Sequence, residues 1–476
     1  MGEVYERLSA LEASYLATES PEAPLHVGSL VFFDGAAFVD ADGRFRLAEV
    51  RAHVAGRLDR IPGFRRRLMN VPLGRPVWVD DPSFDIRHHV RHRQLRPPGT
   101  FDQLVALTVR LQMQPLERDR PLWELWFVSG LADGRVAVVE KIHHALVDGV
   151  SGVDVAAAIV DLSPEVAPAE PPVWTPRPAP SPASVLAAQA ASGLVGTART
   201  LGSVVRHPAR TAAKVATLAD AVRTLARPDT IAPGSSLNAR RLGRRRSLEL
   251  VDVSLADVQA IRHALGGTVN DVVLAAVTGG LRRLLQHRGD DVDGRALRAL
   301  VPVSIRSDDE HFRLGNRVAA MFAPLPVGDG DTVDRLRTIR TATREVKDHH
   351  QSAATKLFLQ AADHTPAVML GPLSRFGVEH QPFINVIVTN VPGLQRPVYL
   401  MGAAMLEAYP IVPLAGSLVV SIGVVSYNGQ LGLGLYGDAD ACPDLDVLAR
   451  GIEHEFRVLV QAARLENGSA DAASSA

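Results

Sequence analysis

The sequence predicts a mixed α/β protein built as two globular halves joined by a long linker. Three observations carry that expectation. The chain has 476 residues, too many for one compact core, so two or three domains are expected. Strand-like alternation and helical periodicity interleave over residues 1–163 and again over 247–465. Residues 164–246, between them, have a different texture, proline-rich and then basic. No internal repeat relates the two halves.

In the first half the clearest strand is Val136–Ile142, an apolar run leading into Lys141-Ile142-His143-His144. Eight prolines between Pro164 and Pro182 read as an extended linker. Ser184–Arg227 then has helical spacing of leucine and valine, with Pro208 as a break. It carries Arg199, Arg206, Arg210, Lys214, Arg223 and Arg227 against a single acid, Asp220. Two readings stay open for it, a helical pair packed on the body or an amphipathic element lying on anionic lipid.

The second half begins with a strand over Ser247–Val253 and a helix over Leu255–Leu265. A long apolar helix follows from Val272 to about His287. Thr268-Val269-Asn270-Asp271 is expected to cap it, because short polar side chains accept the unpaired first-turn N–H groups. Further strands are expected at Ala299–Ile305, Val318–Leu325, Ile384–Thr389, Ser417–Val425 and Gln430–Gly437. A final helix, Asp444–Ala463, closes the fold, and the Ala/Ser-rich tail, 466–476, is expected to be disordered.

Composition narrows the function. The net charge of -1 argues against nucleic acid, since phosphate binding needs a positive excess. Lysine occurs only at Lys141, Lys214, Lys347 and Lys356, so arginine supplies nearly all the positive charge. Cys442 is the single cysteine, in a turn-like setting, and is expected to be an inert thiol. The N-terminus has no basic stretch followed by an apolar core, and no apolar run is long enough to span a bilayer. A cytoplasmic protein is expected, in peripheral contact with the inner membrane or lipid droplets if the basic segment binds lipid.

The segment His143-His144-Ala145-Leu146-Val147-Asp148-Gly149 carries the chemistry. Strand alternation puts His143 with Lys141 and Val139, and His144 with Ile142 and Val138, so only one histidine can look into a given cavity. An imidazole suits base catalysis because its ordinary pKa lies near neutrality. If an alcohol attacks a thioester directly, no serine or cysteine nucleophile is needed. A metal site would need a third ligand at a recognisable spacing, and none stands out, so no metal and no cofactor are expected. His88, His89 and His92 also cluster, but Arg87, Arg91 and Arg93 among them disfavour a cation.

Other motifs join this one in order along the chain. They are Leu8-Ser9-Ala10-Leu11-Glu12-Ala13-Ser14-Tyr15-Leu16, Glu19 to Gly28, Gly74-Arg75-Pro76-Val77-Trp78-Val79-Asp80-Asp81 and Arg120-Pro121-Leu122-Trp123-Glu124. Asn270-Asp271, Pro302-Val303-Ser304-Ile305-Arg306 and Thr389-Asn390-Val391-Pro392-Gly393 complete the set. With them the chain closely resembles the bacterial wax ester synthase/diacylglycerol acyltransferase family, over nearly its whole length except about 164–246 and the tail.

The resemblance implies two halves like chloramphenicol acetyltransferase and the peptide-synthetase condensation domains, meeting along a tunnel. It implies that His144 is the general base with His143 supporting it. Asp148, followed by Gly149, holds the turn and pairs with Arg306. Acyl-CoA is the implied donor, and diacylglycerol or a fatty alcohol the acceptor; the lean to diacylglycerol comes from the Arg/Ala-rich composition, which suggests a bacterium able to store triacylglycerol. Pro121, Leu122 and Trp123 either line a channel or pack. Asn270 either holds the reacting carbonyl or caps its helix. Asp271 and Asn390 are further candidate site residues.

Three other readings compete. Counted as His143, four residues, then Asp148, the motif resembles glycerol-phosphate acyltransferases, whose other substrate-binding blocks are missing. A condensation-type enzyme would form amides or take acyl groups from a carrier protein. A lipid-binding module would have lost the chemistry, which intact His144, Asp148 and Asn270 oppose.

Overall fold

In the computed structural model the described residues are 5–147, 157–165, 174–192, 206, 231–304, 318–348, 375, 377 and 381–474. The first half supplies β1 (Glu6–Arg7), β2 (His26–Phe33), β3 (Arg66–Met69), β4 (Val77–Asp80), β5 (Val90–Gln94), β6 (Trp123–Ser129) and β7 (Val136–His143). Its helices are α1 (Ala10–Thr18), α2 (Leu47–Ala55), α3 (Ile86–His89), α4 (Phe101–Met113) and the one-turn α5 (His144–Val147). The second half supplies β8 (Arg246–Ser254), β9 (Leu297–Ser304), β10 (Val318–Leu325), β11 (Val386–Val391), β12 (Tyr399–Leu400), β13 (Ala403–Ile411), β14 (Val420–Tyr427) and β15 (Gln430–Asp438). Its helices are α6 (Leu255–Leu265), α7 (Val269–His287), α8 (Thr332–Asp348) and α9 (Leu445–Ser474).

Two six-stranded mixed sheets result, in the orders β12-β13-β2-β7-β6-β5 and β10-β9-β11-β14-β15-β8. A small sheet, β1-β4-β3, flanks the first. β12 and β13 come from the second half of the sequence yet extend the first sheet, with β13 antiparallel to β2. The division of the chain at residue 247 therefore does not divide the sheets. Crossing back requires β13 to pass against β15, and glycine makes room: a Cβ at Gly432 or Gly434 would collide with the carbonyl oxygen of Ala408 or Pro410.

α4 shows why these residues make this helix. Thr100 and Gln103 form a capping box at its start, and Leu104, Leu107 and Leu111 recur at helical spacing on one face. That face packs on Leu30 and Phe32 of the first sheet, and the same hydrophobic cluster continues into Val251, Leu433 and Leu435 of the second. One core thus joins the halves. α6 and α7 together are apolar enough to be a bent span, but α7 is largely buried in this core, and no single described helix is long and apolar enough to cross a membrane.

Three expectations need correction. The cap of α7 is Thr268, which forms a capping box with Asp271, and the helix starts at Val269. Asn270 lies inside the first turn and is not the cap; the threonine hydroxyl reaches the Asp271 N–H at 3.2 Å, leaving the asparagine no capping role. The tail is not irregular throughout, because α9 runs on to Ser474, through alanines that favour helix and with no proline to stop it. β13 was not expected as a strand at all. Of the linker's described residues, 174–181 are non-helical and a helix runs over 182–192. This strap is tied down by Arg177 on Asp80 at 3.0 Å and by Val185 packed among Val71, Val77 and Val79.

Candidate active site

β7, between β2 and β6 in the first sheet, ends at His143; His144 opens α5. His143 does share a face with Lys141 and Val139. His144 has left the strand, so its direction is set by the start of the helix and not by the pleat. The two neighbours consequently have different surroundings.

His143 is buried, with one ring nitrogen hydrogen-bonded and the other beside a carboxylate without a hydrogen bond. Its Nδ1 accepts the Ala145 N–H at 3.0 Å, and its Nε2 lies 3.6 Å from Glu19 Oε1. Its backbone N–H donates to the Leu122 carbonyl at 2.9 Å. His144 is half-buried, and its backbone N–H donates to the Leu25 carbonyl at 2.8 Å. Its Nδ1 is buried with no hydrogen-bond partner, and among the described residues nothing hydrogen-bonds its Nε2. The Tyr15 ring lies against the imidazole, with centroids 4.1 Å apart and planes at 30°. Burial pushes the His144 pKa down to about 4; its own backbone carbonyl opposes this, and nearby His143 adds to it.

Glu19, in the loop after α1, organises the group. Its Oε1 lies 3.4 Å from His26 Nε2 as well as beside His143, and Arg118 donates to its Oε2 at 2.8 Å. Burial pushes this carboxyl up, but the adjacent His143 and His26 rings and the bond from Arg118 outweigh it and hold the group well below the usual carboxylate range. The buried His26 bonds through Nδ1 to the Gln112 carbonyl at 2.9 Å, which fixes the end of α4 beside the histidines. Gln112 Nε2 in turn donates to the Glu140 carbonyl at 2.6 Å. Gly28 permits that approach, since a Cβ there would collide with both groups.

The Pro121-Leu122-Trp123 segment is packed. Trp123 is fully buried, donates from Nε1 to the Phe64 carbonyl at 2.8 Å, and stacks on His89 at 4.5 Å. Leu122 sits against α1 beside Ala13 and Leu16. Glu124, next in the motif, lies 3.6 Å from the buried Lys141 amine. Asp271 completes the capping box of α7 by accepting the Thr268 N–H, and it accepts from Thr343 Oγ1 at 2.7 Å, tying α7 to α8. Asn390 is half-buried on β11, on the face that carries Val386 and Val388.

Asp148, Gly149 and Arg306 lie outside the described residues, as does most of the basic segment. Of its cations only Arg206 is described, in a helix and exposed. His88, His89 and His92 diverge: His89 bonds the Trp123 carbonyl, His92 bonds Ser129, and His88 meets Arg120. No group of three or more His, Cys, Asp or Glu that could hold a metal ion is found among the described residues. Cys442 is fully buried with Arg288 on its sulfur, and burial pushes its thiol up to about 12, which leaves it unreactive.

In the sequence, Tyr15, Glu19 and His26 stand inside motifs that assign them no role. The signal was their density in the first 28 residues; contact with His143 and His144 needed the fold.

A model of the wax ester synthase/diacylglycerol acyltransferase catalytic domain matches residues 8–273, and a model of the C-terminal domain of the same family matches 314–460. The chain belongs to the wax ester synthase/diacylglycerol acyltransferase family. A putative diacylglycerol O-acyltransferase of Mycobacterium tuberculosis strain CDC 1551 is 35% identical, over 96% of this chain and 90% of its own. A probable diacylglycerol O-acyltransferase of strain H37Rv is 33% identical over 95% of both. The wax ester synthase/diacylglycerol acyltransferase structure from Marinobacter aquaeolei VT8 superposes with a TM-score of 0.69 at 25% identity, covering 96% of this chain and 99% of that one. The first condensation domain of the CDA synthetase matches with a TM-score of 0.57 at 16% identity, covering 97% of each, a likeness of fold alone. Membership in this acyltransferase family therefore stands on two domain models in the right order and on relatives aligned nearly end to end.

Proposed function

We propose that this chain transfers a long-chain acyl group from acyl-CoA to a lipid hydroxyl, diacylglycerol first and long-chain alcohols as well, with His144 as the general base. The observation that carries the assignment is the contrast between the two histidines. His143 Nδ1 accepts from Ala145 and its Nε2 is shut in the interior 3.6 Å from Glu19, whereas no described residue hydrogen-bonds His144 Nε2, which leaves it to a substrate proton. A pKa near 4 keeps the His144 ring neutral, and so able to accept, across the physiological range.

In the reaction, His144 Nε2 takes the proton of the acceptor hydroxyl as its oxygen bonds to the thioester carbonyl carbon. The tetrahedral intermediate then expels the CoA sulfur, and the imidazolium returns the proton to it. One ester and one free CoA thiol result. His143 and Glu19 touch neither substrate in this scheme and position the turn. Asp148 is assigned to hold that turn from the far side by a charge-assisted pair with Arg306, which removing one partner would weaken by about 3–5 kcal/mol if the pair is buried. A double-mutant cycle in melting temperature over Asp148→Asn and Arg306→Ala tests it, and strictly additive effects would refute it.

The function itself is tested with purified protein and labelled acyl-CoA, given diacylglycerol, hexadecanol and a long-chain amine in turn, with lipid products separated by chromatography. Ester from the first two is expected. His144→Ala should lower the rate by about 10²–10⁴-fold, while His143→Ala keeps partial activity. Product from the amine alone would favour the condensation-type reading, and a greater loss at His143 would reverse the assignment.

A further inference from the structure

Away from the histidines, α4 and the edge strand β5 with the residues after it border an open surface cleft of about 740 Å³. Arg93 and Arg96 stand on one wall and Arg110 on the other. Elsewhere on this strand cations find acids, as Arg91 does in Glu124 at 3.4 Å. Arg93, Arg96 and Arg110 have no carboxylate within ion-pair distance among the described residues, and no acidic residue lines the cleft. Three guanidiniums facing one space without a counter-charge repel one another unless an anion joins them. The rest of the lining has a different character: Leu95 and Leu107 give an apolar floor, and the amides of Gln94 and Gln114 offer neutral hydrogen bonds. Phosphate charge beside a flat, partly apolar group is the ligand chemistry that such a surface matches.

The cleft is also linked to the histidines by both of its walls. Gln103, Ala106, Leu107, Arg110 and Gln114 recur at helical spacing and form one stripe along α4. Between Arg110 and Gln114 lies Gln112, whose carbonyl holds His26 beside Glu19 and His143. On the sheet, Arg93 is level with Val128 and, one strand further, with Ala137. From Ala137 to His143 the strand rises roughly 20 Å. An extended pantetheine arm and pyrophosphate cover a separation of that order between a thioester carbon and a ribose phosphate.

We infer that Arg93, Arg96 and Arg110 hold the phosphates of the adenosine 3′,5′-bisphosphate end of acyl-CoA in this cleft, with the thioester reaching along α4 to His144. The inference rests on the acyl-CoA reading above and adds the location of the donor's charged end.

The probe is adenosine 3′,5′-bisphosphate, titrated calorimetrically into the full chain and into the triple variant Arg93→Gln/Arg96→Gln/Arg110→Gln. Binding should weaken by roughly tenfold or more, as loss of charge-assisted bonds predicts. The KM for acyl-CoA should rise in step, with kcat and the acceptor KM unchanged. Gln94→Glu deletes no arginine but places a carboxylate in the cleft, and should raise the same KM, which separates charge from misfolding. Unchanged bisphosphate binding and acyl-CoA KM in the triple variant would overturn the site. So would a variant that loses only its sedimentation with phosphatidylglycerol vesicles, which would make the cleft a lipid-headgroup site. If the parent binds the bisphosphate through these arginines yet never consumes acyl-CoA, the donor reading fails while the phosphate site stands.

Discussion

The Tyr15 ring covers one face of the His144 imidazole, with centroids 4.1 Å apart, so the first helix of the chain meets the residue that follows its central strand β7. The contact also explains part of the burial that depresses the His144 pKa. α1 is in turn held by Leu8, Ala10, Ala13 and Leu16, packed on Leu122 and Ala145. The imidazole is therefore oriented by packing on its face and by the Leu25 carbonyl at its backbone N–H.

Replacing Tyr15 measures that orientation. Aromatic pairs contribute about 0.5–1.5 kcal/mol beyond buried area, so Tyr15→Ala should lower kcat by a few-fold up to about tenfold. Tyr15→Phe keeps the ring and should keep most of the rate. Steady-state kinetics with both variants check this; equal losses in the two would assign the effect to the hydroxyl instead of the stack.

The pH dependence follows from the direction of the histidine shifts. His144 and His89 are pushed to about 4 from the ordinary 6.5, and burial also lowers His26 and His53. The folded state holds these rings neutral, while the unfolded chain takes up protons near pH 6.5. Their contribution to stability is therefore complete above about pH 6.5 and is lost as pH falls toward 4. The melting temperature should decline through that window and stay flat above it. Over the range in which the protein remains folded, kcat/KM should show no acid limb at 6.5. A limb there would mean that the base titrates like an exposed histidine.

Glu19 supplies the third prediction. It is the carboxylate between His26 and His143, with only 13% of its side chain exposed. Glu19→Gln removes the acceptor charge but keeps the shape, and should cost about 1–3 kcal/mol of stability because buried partners lose their bonds. The misplaced turn should appear in kcat, with little change in the KM for either substrate. Chemical denaturation alongside kinetics distinguishes this from contact with substrate, where KM would carry the loss.

The sequence by itself determined the strands and helices whose periodicity is strong. β10 and α6 match the expected residues, β7 extends one residue further, and β15 ends within a residue of its expected limit. It also determined the family, because the motifs from Leu8 to Gly393 are local strings that need no fold to be read. Only the tertiary structure decided which strands share a sheet. β13, half-buried and irregular in pattern, joins β2 across more than 370 residues of chain, and no local signal encodes such a pairing. Only the tertiary structure separated His143 from His144 as well. The pleat gave them opposite faces, but the strand ends between them, and what each ring meets is set by α1, the Glu19 loop and α4. Burial and partner charge are sums over groups distant in sequence, so a histidine's environment exists only once the chain has packed.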